Sequence, residues 1–205
     1  MIFLGDYINK GPSSKRVLGF MLTLRRAPPD WCEPIFLMGN HEFVLLELIT
    51  TRKEFLKHAL CHSRFGGGAL LKSFGVSSSD KDFVSKLVES MDHGTVDMLG
   101  EMLSSYLLGG YAFVHAGLKP GVSFADQSQQ DLLWITEPFL SHEEPLGPFV
   151  VVHGHSPTGG KPDVRAHRVN VDTGAWRTGR LTAARLLDDE PAAFLSTHPD
   201  GPTIL

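Results

Sequence analysis

Ile35-Phe36-Leu37-Met38-Gly39-Asn40-His41-Glu42 is the stretch that decides how this chain folds. Four apolar residues read as a buried strand, and Gly39 turns the chain at its end. An amide and an imidazole then stand side by side where the strand stops. The same arrangement recurs three times. Met1-Ile2-Phe3-Leu4 runs into Gly5-Asp6, Tyr111-Ala112-Phe113-Val114 into His115-Ala116-Gly117, and Phe149-Val150-Val151-Val152 into His153-Gly154-His155. Each run delivers a carboxylate, an amide or an imidazole at its C-terminal end. Open α/β sheets gather ligands outside the carboxyl ends of their strands, so the pattern predicts an α/β fold with a metal site at that edge.

Outward from these runs, Gly5 to Pro12 reads as a loop, with Gly11-Pro12 as its turn signal. Ser13 or Ser14 can cap a helix that runs to about Arg26, with Val17, Leu18, Met21 and Leu24 as its core stripe. A second helix is expected over Phe43 to Ile49. A mostly helical middle follows over Phe55 to Leu107, broken at Gly66-Gly67-Gly68 and Ser77-Ser78-Ser79-Asp80. The second half turns to strands: Tyr111 to Val114, Phe149 to Val152, Arg168 to Val171 and Leu181 to Leu187. This order suggests two sheets packed face to face with helices outside. Residues 1–187 read as one domain and 188–205 as a C-terminal tail.

The chain has 205 residues and a net charge of −4. That length suffices for a full core, and so mild a charge gives no basic surface for nucleic acid. Cys32 and Cys61 make neither a disulfide framework nor a zinc ribbon. No apolar stretch approaches the ~20 residues of a membrane helix. The reading is a cytoplasmic protein with neither a nucleic-acid nor a membrane partner.

Asp, Asn and imidazole form a mixed oxygen and nitrogen donor set. It suits Mn²⁺, Fe or Zn²⁺ better than Ca²⁺, which prefers oxygen alone. Asp6 can bridge two ions with its two carboxylate oxygens. His41 follows Asn40 by one residue and is free to act as a general acid. Asn9 can accept the His41 ring N–H, and Lys10 can hold a phosphate as a point charge. Taken singly, each feature has a plainer reading. Asn40 could cap a helix, His115 could be a core histidine, Asp6 a turn residue and Lys10 a solvated charge. His58, His62, His93, His142, His167 and His198 show no ligand spacing.

Together the blocks resemble a known family. Gly5-Asp6-Tyr7-Ile8-Asn9-Lys10-Gly11, Gly39-Asn40-His41-Glu42, His115-Ala116-Gly117-Leu118 and Val152-His153-Gly154-His155-Ser156-Pro157 look like the later blocks of the calcineurin-like metallophosphoesterases. Leu132 to Phe139 and Asn170 to Ala175 resemble its bacterial serine/threonine phosphoprotein phosphatase branch. The resemblance implies a β-sandwich of two mixed sheets flanked by helices, with two divalent metal ions at its edge. Asp6 would bridge the metals, and Asn40, His115 and His155 would complete one of them. His41 would be the acid, oriented by Asn9, and Lys10 would contact the phosphate. His153 is left out of the ligand set, because the family match puts the metal on the second imidazole.

The chain departs from the family at four places. The opening Gly-Asp-x-His-Gly block is absent, so the sequence reads as missing a first strand-helix unit and one metal as short of ligands. Position 9 is Asn for Asp, position 10 is Lys for Arg, and position 136 is Thr where a second phosphate-binding Arg is usual. The expected activity is removal of phosphate from phosphoserine or phosphothreonine in proteins, by hydroxide generated at the metals, with Mn²⁺ the first choice of ion. Hydrolysis of dinucleoside polyphosphates is the second reading. A non-catalytic phosphate-binding protein is the third.

Overall fold

The computed structural model describes residues 1–187, 190–197 and 203–204. They fall into two units, Met1–Leu103 and Ser104–Leu205. Asp188, Asp189 and His198, which carry part of the expected tail, lie outside the described residues.

In the first unit, β1 (Ile2–Phe3) and β2 (Ile35–Phe36) pair in parallel, Ile2 opposite Ile35 and Phe3 opposite Phe36. The Phe3 and Phe36 rings stack at 5.0 Å. The ladder continues at Leu37, which bridges to Leu103, with Met38 N donating to the Leu103 carbonyl at 2.8 Å. Helix α1 (Ser14–Arg26) connects the two strands. It buries Leu18, Met21 and Leu22, while Val17 is exposed, so the core stripe is displaced from the one expected. Helix α2 (Asn40–Thr51) begins at Asn40, three residues earlier than the sequence suggested. Helices α3 (Glu54–Cys61), α4 (Gly67–Ser73), α5 (Phe83–Glu89) and α6 (Thr95–Gly100) follow. Leu45, Leu48, Leu60, Leu70, Leu87 and Leu99 are wholly buried in this unit, and each such side chain contributes about 2 kcal/mol of transfer free energy.

In the second unit, Ser105 to Leu107, expected within the helical middle, instead belong to strand β3 (Ser105–Leu108), paired antiparallel with β4 (Tyr111–Val114) across Gly109-Gly110. A two-glycine link suits a tight hairpin because its residues take positive φ at little cost, and Gly109 has φ 57°. Helix α7 (Gln129–Trp134) starts at Ser128, whose hydroxyl accepts from Asp131 N at 3.1 Å. Strands β5 (Val150–His153), β6 (Asp163–Val164) and β7 (Arg168–Asn170) complete a mixed sheet of order β3-β4-β5-β7-β6. β4, β5 and β7 run parallel, and the two edge strands run antiparallel to their neighbours. Phe139, Val114, Ala116, Leu118, Leu132 and Val151 pack as a buried cluster in this unit.

The short helix α8 (Ala175–Thr178) precedes a second sheet of β8 (Thr182–Leu187), β9 (Glu190–Ser196) and β10 (Thr203–Ile204). β8 and β9 form an antiparallel pair, so residues read from the sequence as tail carry a strand. The expected α/β class, with helices and mixed sheets, is what the chain adopts. Among the described residues, no helix is long and apolar enough to cross a membrane.

Candidate active site

In the first unit, Asp6 leaves the end of β1 and Asn40 opens α2 after β2. What joins the two segments is Glu42. It is wholly buried, and its carboxylate accepts four backbone N–H groups. One oxygen takes Asp6 N at 2.9 Å and Gly39 N at 3.1 Å; the other takes Tyr7 N at 2.8 Å and Ile8 N at 3.1 Å. The Gly39 bond is the return half of a helix capping box. Burial first, and the Asp6 carboxylate next, raise the pKa of Glu42, while the backbone N–H groups lower it and hold the ionised form. Gly39 has no room for a side chain, since a Cβ there would stand 2.7 Å from Asp6 Oδ1.

The loop that Glu42 grips is backbone-strained. Asp6, Asn9 and Lys10 hold φ of 59°, 68° and 47°. Left-handed conformations cost non-glycine residues about 1–2 kcal/mol each and persist only where surroundings over-determine them. Glu42 supplies part of that determination, and Ser14 Oγ adds to it by accepting Asn9 N at 3.1 Å. Tyr7 closes the base of the loop. Its hydroxyl lies 2.8 Å from the Leu37 carbonyl and 3.0 Å from that of Phe3. Burial, foremost, raises its pKa well above the ordinary value, so it stays a donor.

His41 is buried in the first turn of α2. The Asn9 amide lies 2.6 Å from its Nδ1, and its Nε2 stands 3.7 Å from Asp6 Oδ2. With the amide N–H toward the ring, Nδ1 accepts and the proton sits on Nε2, facing Asp6. With the carbonyl turned to the ring, Nδ1 donates and the imidazole can carry both protons. His41 is therefore within reach of both Asn9 and Asp6 within this unit. Lys10 stands next along the same loop, its backbone N–H donating to the Gly66 carbonyl at 3.2 Å.

In the second unit, His115 directly follows β4, and His155 follows the neighbouring parallel strand β5 after Gly154. Gly154 N donates to the His115 carbonyl at 2.8 Å, tying the two strand ends together. His115 Nε2 and His155 Nδ1 lie 3.2 Å apart. Two imidazoles on one ion with bonds of about 2.0–2.1 Å have nitrogens roughly 3.0–3.4 Å apart. The spacing therefore fits a shared divalent cation as well as it fits an N–H···N bond.

His155 is left-handed, φ 64°, and Asn170 supports its turn. The Asn170 amide donates to the Ser156 carbonyl at 2.8 Å and its carbonyl accepts from Asp172 N at 2.9 Å. His153 faces the interior. Its Nδ1 lies 3.1 Å from the Gly154 carbonyl, and its ring meets Phe139 edge-on at 4.9 Å. Burial, helped by the Arg168 guanidinium, lowers its pKa to about 3, so it is neutral. Arg168 is itself buried, bonding Asp163 at 2.8 Å and the Leu140 carbonyl at 3.2 Å. Thr136 is exposed, and its carbonyl accepts from Leu140 N at 2.8 Å.

Reading the sequence alone missed Glu42, Asn170 and Phe65, whose ring stacks on His41 at 4.2 Å. Glu42 had a signal in its position three residues after Gly39, the spacing of a capping box. Asn170 combines a local bond to Asp172 N with a longer-range one to the Ser156 carbonyl, and Phe65 acts through a tertiary contact that no local pattern announces.

The family model of the calcineurin-like phosphoesterases matches residues 1–195. The chain belongs to that family. Calcineurin-like phosphoesterases typically bind divalent metal ions, which suits the oxygen and nitrogen donors described above. None of the curated proteins matches the chain. Among solved structures, it is similar to a protein described as a diadenosine tetraphosphatase, at 18% identity and a TM-score of 0.58 over 100% of this chain and 78% of that one. It is also similar to a protein serine/threonine phosphatase from Saccharomyces cerevisiae, at 14% identity and a TM-score of 0.55 over 97% of this chain and 63% of that one. At such identities the likeness speaks to the phosphoesterase fold.

Proposed function

We propose that this calcineurin-like phosphoesterase is a cytoplasmic phosphomonoesterase that removes phosphate from phosphoserine or phosphothreonine in proteins. The observation that carries this reading is His41, buried, bonded at Nδ1 by Asn9 and directed at Asp6 through Nε2. A serine or threonine alkoxide is a poor leaving group and departs only if it is protonated as the bond breaks. A nucleotide released from a dinucleoside polyphosphate is a stable anion with little need of an acid. An imidazole held so firmly favours the first substrate class.

In this proposal Asp6, Asn40, His115 and His155 would hold a divalent ion, Mn²⁺ by preference, and Asp6 would also serve a second. When bound, the ions act as Lewis acids on the phosphoryl oxygens and promote ionisation of the attacking water. Lys10 offers its ammonium to the phosphate, and His41 Nε2 gives its proton to the leaving oxygen. Asn9 and Glu42 hold these groups in place.

The test compares phosphate release from a phosphoserine peptide, from 4-nitrophenyl phosphate and from diadenosine tetraphosphate, with Mn²⁺ added. Preference for the peptide supports the proposal. Preference for diadenosine tetraphosphate replaces it with the polyphosphate reading, and inertness toward all three replaces it with a phosphate-binding role.

A further inference from the structure

A third segment of the first unit meets the loop carrying Asp6, Asn9 and Lys10. The Phe65 ring lies over the His41 ring, centroids 4.2 Å apart and planes 26° from parallel. The next residue, Gly66, receives the backbone N–H of Lys10 at 3.2 Å and that of Ala69 at 3.1 Å. Gly66 has φ 79°, and a Cβ on it would stand 2.7 Å from Lys10 Cγ. The turn is itself anchored, because Phe65 N and Gly66 N both donate to the His62 carbonyl, at 2.9 and 3.0 Å.

We propose that the Phe65-Gly66 turn is a positioning element for phosphoryl transfer, aiming the His41 ring and the Lys10 side chain at the substrate. The inference rests on the phosphatase reading above. A bond to Nδ1 fixes one direction in the plane of an imidazole but leaves the ring free to tip about that direction. An aromatic face laid on the ring removes the tipping, so the Asn9 bond and the Phe65 face together define where Nε2 points. Gly66 works on Lys10 in the same way. Its carbonyl holds the Lys10 amide, and its bare Cα leaves room for the lysine stem to pass.

Leaving-group dependence separates aim from mere stability. 4-Nitrophenolate departs with little help from an acid, whereas phenolate depends on one. Phe65→Leu keeps apolar bulk but loses the flat face; Phe65→Tyr keeps the face. With Mn²⁺ present, Phe65→Leu is expected to lower kcat on phenyl phosphate about tenfold more than on 4-nitrophenyl phosphate, with KM little changed. Phe65→Tyr is expected to restore the ratio. Equal losses on the two substrates would overturn the inference.

A second readout needs neither metal nor turnover. In the metal-free chain, the ring current of Phe65 displaces the His41 ring-proton resonances. Phe65→Leu should move them and Phe65→Tyr should not. If the unsubstituted chain turns over both phosphates but these resonances stay put in Phe65→Leu, the inference alone falls. If it turns over neither phosphate, the phosphatase reading falls and takes the catalytic part of the inference with it.

Discussion

One carboxylate oxygen of Glu42 accepts the backbone N–H of Asp6 at 2.9 Å, across 36 positions of sequence. The other accepts Tyr7 N and Ile8 N. A single buried side chain thus fixes the position of the loop that carries Asp6, Asn9 and Lys10 against the helix that carries Asn40 and His41. Glu42→Ala would strand four backbone donors, two of them buried and two part-buried, at about 1–3 kcal/mol for each buried one left unpaired. Relaxation and water will recover part of the sum, so we expect a loss of about 3–5 kcal/mol in urea unfolding, comparable to breaking a buried ionic contact. A loss under 1 kcal/mol would show that the loop holds itself.

The proposed ligand role of His155 is separable from stability. His155→Gln should lower Mn²⁺ affinity at least about tenfold by calorimetric titration. Its effect on urea unfolding of the metal-free chain should stay within about 1 kcal/mol, because no core packing is lost. Unchanged affinity would remove His155 from the ligand set.

Tyr7 ties the ends of β1 and β2 through its hydroxyl. Tyr7→Phe deletes that donor and nothing else, and should cost about 1 kcal/mol. The ring and its packing against Phe36 remain. A neutral outcome in thermal unfolding would mean that the two carbonyls are satisfied by their other donors.

Acid stability has a specific contributor in the second unit. Burial pushes the Asp163 carboxyl up, but the Arg168 and Arg165 guanidiniums pull it further down, leaving it below its ordinary value. A depressed carboxylate stabilises the fold above its unfolded pKa, about 3.9, and the contribution disappears as pH falls through the lower folded value. Asp163→Asn should therefore flatten the decline of unfolding free energy below about pH 4 and leave the slope near pH 7 unaltered. An unchanged acid limb would contradict the assignment.

Much of the candidate site was legible in the chain because it follows a strict local rule. An apolar run ends at Gly or directly at a polar residue, and the candidate side chain stands there. Asp6, Asn40, His115 and His155 do stand just beyond the ends of β1, β2, β4 and β5, and β4 falls on the residues expected of it. Less was legible where two signals compete. Ser105–Leu108 follows a long helical stretch, and its strand identity rests on the Gly109-Gly110 turn and on pairing with β4. The stripe of α1 was displaced because Val17 and Leu22 fit a helical period equally well, and only packing leaves Val17 outside. In the sequence Glu42 stands out as part of a motif rather than as an acceptor, since three of its four donors come from a loop far away in sequence.

Glu42 recognises main-chain amides and is indifferent to the side chains those residues carry. The side chain at position 6 can therefore change while the Glu42 bond to its main chain persists, whereas Tyr7 and Ile8 are held besides by the tyrosine hydroxyl and by burial. Asn9 and Lys10 are likewise held through their main-chain N–H groups, by Ser14 Oγ and the Gly66 carbonyl, so the frame does not depend on which side chains stand there. Selection can retune which phosphate ester is handled here without first having to rebuild the scaffold.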